Sequence, residues 1–144
     1  MLTGGTARVR VQHSLCTVFN EKIGELYGNA KPYLKFWDEV EDFPFISVTC
    51  NTETREYQPG AFEWGFITAN IRVYVKSERN EPTDELENLL VKVENLLRDN
   101  SGTLPIGSGC TATDIRVVSI DVDGGLLAPL GIGEITAVVQ YQVN

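Results

Sequence analysis

The stretch TDELENLLVKVENLLRDN, Thr83 to Asn100, decides how the rest of the chain is read. Leu86, Leu89, Leu90, Val93, Leu96 and Leu97 recur at intervals of three and four, which gathers them into one apolar stripe on a helix. Glu85, Glu87, Lys92, Glu94 and Arg98 fall on the other side. Pro82 precedes the helix, where a missing N–H costs little; Asp84, Glu85 and Glu87 sit near the positive end of the helix dipole and Arg98 near the negative end. Asn100-Ser101-Gly102 supplies the stop. A stripe this broad needs an apolar partner, and the β-patterned runs on either side provide one. The helix covers a sheet.

Working outward on the N-terminal side, Phe62 to Lys76 reads as one long strand. Ile67, Ala69, Ile71, Val73 and Val75 share its core face; Phe62, Trp64 and Phe66 begin the other face, which turns polar at Thr68, Asn70 and Arg72. That aromatic end needs a cover, either the Tyr33 to Trp37 segment or another subunit. Before it, Phe45 to Cys50 is a second strand, with Ile46, Val48 and Cys50 on one face, and Asn51 to Ala61 reads as a polar hairpin loop ending in the turn signal Gln58-Pro59-Gly60. From about Gly5 to Tyr27, Val11, Leu15, Val18, Phe19, Ile23 and Leu26 follow helical spacing, and Gly28-Asn29 can end that helix. The acidic run Asp38 to Asp42 reads as a solvated loop or as a contact for a basic partner.

On the C-terminal side, Ser101 to Cys110 reads as a loop. Thr113 to Asp123 alternates, with Val118, Ile120 and Val122 on one face and Ile115 and Val117 on the other. Gly124 to Gly133, GGLLAPLGIG, fits neither strand nor helix, and it exposes Leu126, Leu127, Leu130 and Ile132 unless something covers them. Glu134 to Asn144 is the cleanest strand, with Ile135, Ala137, Val139, Tyr141 and Val143 on one face. The fold class is α+β, a mainly antiparallel sheet with an N-terminal helix and a central amphipathic helix packed on it, in one domain spanning 1–144.

Composition narrows the function. The 144 residues suffice for a core, and a chain of this size buries roughly two-thirds of its unfolded surface. The apolar runs fall well short of the ~20 residues that cross a bilayer, and the N-terminus lacks the apolar stretch of a secretory signal, so cytoplasmic synthesis without export is expected. A net charge of −8 argues against a surface that grips nucleic acid, although an acidic lumen would let a duplex slide past. Cys16, Cys50 and Cys110 are odd in number and widely spaced, which points to free thiols.

No chemistry-bearing motif stands. Asp121-Val122-Asp123-Gly124 opens like a calcium loop, but Gly125 and Ile132 stand where further oxygen ligands belong, so a turn is expected. His13, the single histidine, has Ser14 and Cys16 near it without an orienting carboxylate. The glycines form no phosphate cradle. An enzyme is not expected, nor is a cofactor or metal. A small ligand-binding domain or enzyme remains as the alternative of another class, requiring a deep pocket with convergent polar groups.

The combination FPFISV, EWGFITANIRVYVKSE, DELENLLVKVENLL and TDIRVVSIDVDGGLLAPLGIGEITAVVQYQV resembles the tail terminator, or tail completion, proteins of long-tailed bacteriophages, from about Pro32 to the C-terminus. The resemblance implies a structural subunit assembled in the bacterial cytoplasm and ending in the virion. Such subunits form a hexameric ring that caps the tail tube, halts its polymerisation, meets the head-side connector and leaves a channel through which DNA passes without specific binding. Its partners would be further copies of itself, the tail tube protein and a neck protein. Phe62, Trp64, Leu126, Leu127 and Leu130 are the candidate subunit contacts; Glu53, Arg55, Glu56 and Tyr57 are the candidate tube contacts. Another neck or head-completion protein is the nearer alternative.

Overall fold

The computed structural model describes residues 6–59, 63–78, 81–107 and 109–143. Helix α1 (Ala7–Lys22) starts at Thr6, whose hydroxyl accepts the Val9 N–H, and is followed by a 3-10 turn at Gly24–Leu26. Strands β1 (Ala30–Lys31), β2 (Phe45–Tyr57) and β3 (Glu63–Lys76) come next, then helix α2 (Thr83–Asp99). A small hairpin, β4 (Pro105–Gly107) and β5 (Cys110–Thr111), leads into β6 (Asp114–Val122) and β7 (Leu130–Val143). The main sheet has the order β1-β2-β3-β7-β6, antiparallel except where β1 runs parallel to β2. The two long hairpins, β2–β3 and β6–β7, are joined through β3 and β7.

Both helices lie on one face, α1 over β1 and β2 and α2 over β7, β3 and β6. Ile46 and Val48 of β2, Ile67 through Val75 at alternate positions of β3, and Ile135, Ala137 and Val139 of β7 form the floor. Val11, Leu15, Phe19, Leu86, Leu90, Val93 and Leu97 descend on it from the helices. The stripe that organises the sequence is therefore the seam of the core, with Leu96 at its half-buried margin. Asn100 closes α2 by returning both its backbone N–H and its side-chain amide to the Leu96 carbonyl.

Four sequence expectations change. Asn51 to Tyr57 is strand, not loop: a bulge at Cys50 and Asn51 interrupts β2, after which pairing with β3 continues to Tyr57↔Glu63. Its polar composition misled because this part of β2 extends past the core. Part of Ser101 to Cys110 forms β4 and β5, and Leu104, Ile106 and Ala112 enter the core there. In β6, a bulge at Val118 shifts the phase, so Ile115, Val117, Ile120 and Val122 share the helix face instead of splitting between faces. Finally, β7 begins at Leu130, and its glycines have a packing reason. A Cβ on Gly131 would lie 2.9 Å from Pro82 Cβ and 3.0 Å from Val75 Cγ2, and one on Gly133 would lie 3.1 Å from both Leu90 methyl groups. Glycine there lets α2 approach the sheet.

This close approach makes a test. Gly131→Val should lower unfolding stability by about 1–3 kcal/mol, because the N-terminal turn of α2 must lift. Gly24→Ala, whose Cβ meets nothing within 4 Å, should stay within about 0.5 kcal/mol of the parent in urea unfolding.

Candidate functional site

The sheet carries a distinct cluster of side chains towards each end of its long strands. At one end, Phe45 and Tyr74 pack with Val40, with ring centroids 5.9 Å apart. The Tyr33 to Trp37 segment is tied there: Ser47 Oγ donates to the Tyr33 carbonyl and Tyr74 Oη to the Lys35 carbonyl, each at 2.6 Å, and Lys35 Nζ stands 5.7 Å over the Phe45 ring. The segment thus covers Phe45 and Tyr74 and not, as one sequence reading had it, the aromatic end of β3. Tyr33, Leu34, Phe36 and Trp37 remain exposed on it. Arg72 and Glu134 pair at 3.0 Å in mid-sheet.

The other end is the charged tip of the β2–β3 hairpin. Glu53 lies on the helix-side face of β2, its side chain only 9% exposed, and its carboxylate gathers three partners. Tyr141 Oη donates to Oε2 at 2.6 Å, Arg55 Nε donates to the same oxygen, and Arg8 Nε of α1 stands 3.6 Å from Oε1. Arg55 also reaches Glu63 Oε1 at 3.0 Å, which ties the two hairpin strands to each other. Gly65 makes the arrangement possible: a Cβ there would lie 2.3 Å from Tyr141 Cε1, so only a bare backbone lets the phenol ring cross β3 towards Glu53. Burial, and secondarily the bond to the Glu53 carboxylate, push the Tyr141 phenol up to about 12. Its two carboxylates raise the Arg55 guanidinium above the ordinary arginine value, Glu63 contributing more than Glu53.

The residues singled out from sequence fall into two groups. Glu53, Arg55, Glu56 and Tyr57 share the hairpin tip, and Trp64 belongs with them, since it sits directly across from Glu56. Phe62 lies outside the described residues. Leu126 and Leu127 occupy the turn between β6 and β7, and Leu130 pairs with Lys76 at the start of β7. Trp64 and Leu130 are thus separated by most of the length of β3, about 40 Å at strand spacing. Leu126 is 84% exposed. Sequence reading missed Arg8, Glu63 and Tyr141. Tyr141 could have been suspected, because a tyrosine on the core face of a strand needs a partner for its hydroxyl.

Elsewhere the chemistry is quiet. No group of three potential metal ligands occurs among the described residues. Burial pushes the Cys16 and Cys50 thiols up to about 12, so they stay protonated and unreactive at neutral pH. Asp123 Oδ1 accepts the Gly125 N–H at 3.2 Å, which makes Asp121 to Gly124 the end of a strand and a turn. A groove of about 290 Å³ lies between α2, Phe43-Pro44 and the end of β3, bridged by the 2.6 Å pair of Lys92 and Glu25.

The architecture is thus a sheet with two helices on one face and a charged hairpin end, and a fold of this kind does not by itself name a role. Residues 11–144 match the family described as Bacteriophage Tail Tube Terminator Protein, and the chain belongs to that family. It is a family of structural components of the virion tail, not of enzymes. A relative, tail tube terminator protein p142 of Escherichia phage T5, is 36% identical over 131 residues, which cover 85% of this chain and 80% of that one. Among solved structures, a chain of the virion of a native gene transfer agent particle superposes with a TM-score of 0.68 at 9% identity, over 92% of this chain and 94% of that one, and so shares the fold.

The tip network gives a second test. Because folded Tyr141 keeps its proton to about 12 while the unfolded chain releases it near the ordinary 10.0, stability should fall as pH rises between those values. Spectrophotometric titration should show a phenol ionising near pH 12 that Tyr141→Phe removes. The same variant should cost about 1–3 kcal/mol, because Glu53 loses a buried partner.

Proposed function

We propose that copies of this chain, each acting as one domain over 1–144, close into a ring on the end of the phage tail tube, stop its polymerisation and join the tail to the head-side connector. The observation that carries this reading is the match of residues 11–144 to the tail tube terminator family, together with a relative named for the same role. The resemblance read from the sequence supplies six as the number of subunits.

Geometry supports a division of contacts. The hairpin tip, where Arg55, Glu56 and Tyr57 are exposed and the buried Glu53 carboxylate braces Arg55, suits a contact with the tube; Trp64, across from Glu56, and Phe62, next to the tip in sequence, are assigned to a subunit contact. The Leu126, Leu127 and Leu130 end suits packing against a neighbouring copy, since Leu126 is exposed, Leu127 and Leu130 are half-buried, and a contact there would take their remaining apolar surface out of water. A net charge of −8 suits a ring through which DNA passes without being held. Assembly takes place in the host cytoplasm and the finished ring stays in the virion.

Polymerising tail tube protein in the presence of this chain tests the reading. Growth should stop at shorter lengths as the ratio of this chain to tube protein rises, and Leu127→Asp should abolish both the ring and the arrest while circular dichroism stays unchanged. Tubes that lengthen at the same rate with and without the chain would refute the proposal.

A further inference from the structure

Among the described residues the sheet has two open edges. On one side, β6 is the last strand, and its outer edge pairs with no strand among the described residues. On the other side, β1 covers only Ile46 and Ser47 of β2, so the outer edge of Asn51 to Tyr57 is likewise unpaired by any described strand. An unpaired strand edge presents backbone donors and acceptors in the spacing of another strand, and an apolar one invites pairing. β6 carries exposed apolar side chains, Val118 at 58%, Ile120 at 43% and Val122 at 49%, interspersed with exposed Arg116, Ser119 and Asp121. Beside it, Leu86 and Glu87 line a small crevice against Val122, and Val91, one helical turn further along α2, is also exposed.

We propose that β6 of one copy pairs with the Asn51 to Tyr57 arm of the next, so that the sheets of neighbouring subunits run into one another around the ring. This rests on the ring reading above and specifies its interface. Three features select a second copy as the occupant. First, strand sense: β2, β3, β7 and β6 alternate in direction, so β6 runs opposite to β2. A copy generated by rotation about an axis along the strands keeps its β2 direction and therefore meets β6 antiparallel, which continues the alternation. Second, the two edges differ and lie on opposite sides of the molecule, as a head-to-tail contact that closes requires and a two-fold contact does not.

Third, the register is constrained. Within one subunit, Arg116 lies level with Thr52 across Val138 and Thr68. A stagger of four residues clears β1, keeps the inward and outward faces matched, and sets Arg116 opposite Glu56 and Ser119 opposite Thr54. Closing a sheet on itself demands a stagger of this kind. Arg116 and Glu56 are both exposed and opposite in charge, and Tyr57, 77% exposed, is brought to the level of Ile115.

Cysteine cross-linking tests the register. In a Cys110→Ser background, Ser119→Cys combined with Thr54→Cys should give an oxidised ladder of multimers up to the closed ring, whereas either cysteine alone should give none. Arg116→Glu and Glu56→Arg should each reduce the ring fraction several-fold by mass photometry, measured alone and on tail tubes, and the double variant should restore it. Rings that form without the ladder and ignore the charge swap would overturn the edge pairing while leaving the terminator reading intact. Wild-type protein that forms no ring, alone or on tubes, would refute the ring reading and this interface with it.

Discussion

The ladder between β3 and β7 is the constraint on which the rest of the molecule depends. It runs without a bulge from Glu63↔Val143 to Lys76↔Leu130 and joins two hairpins that would each be marginal alone. Because side chains alternate strictly along it, one register sends Ile67, Ala69, Ile71 and Val73 together with Ile135, Ala137 and Val139 to the helices. A slip of one residue would turn that whole row to solvent. The same register carries Tyr141 across Gly65 to Glu53 and sets Gly131 and Gly133 under α2. Core, helix placement and hairpin tip are therefore fixed by one set of backbone pairings.

From this ladder follows the separation of tasks. The helix face is spent on folding, and among the described residues the hairpin tip, the β6–β7 turn and the outer edges of the sheet stay outside that core. The tip is held rigid by ion pairs and hydrogen bonds in place of a hydrophobic core, an arrangement that keeps it both ordered and wettable. The chain belongs to the tail tube terminator family, which is one of structural tail proteins and not of enzymes.

Much of this was legible in the sequence. The amphipathic stripe of α2 and the alternation in β3 and β7 declared the α+β class, because helix and strand periods are distinct and both faces of these elements are cleanly sorted. What escaped has physical causes. Bulges at Cys50–Asn51 and at Val118 break the two-residue period, so the tail of β2 looked like a loop and the apolar residues of β6 looked split between faces. Glycines at 131 and 133 looked like loop punctuation because their reason lies in α2, which is distant in sequence. The network around Glu53 joins Arg8, Arg55 and Tyr141, three positions that no local pattern connects.

The most direct test of the central claim is electron cryomicroscopy of tail tubes incubated with the purified chain. The account predicts one extra layer of density at a single end of each tube, ring-shaped, open along the axis, with the charged hairpin tips facing the tube. Bare ends, or density spread along the tube wall, would contradict it.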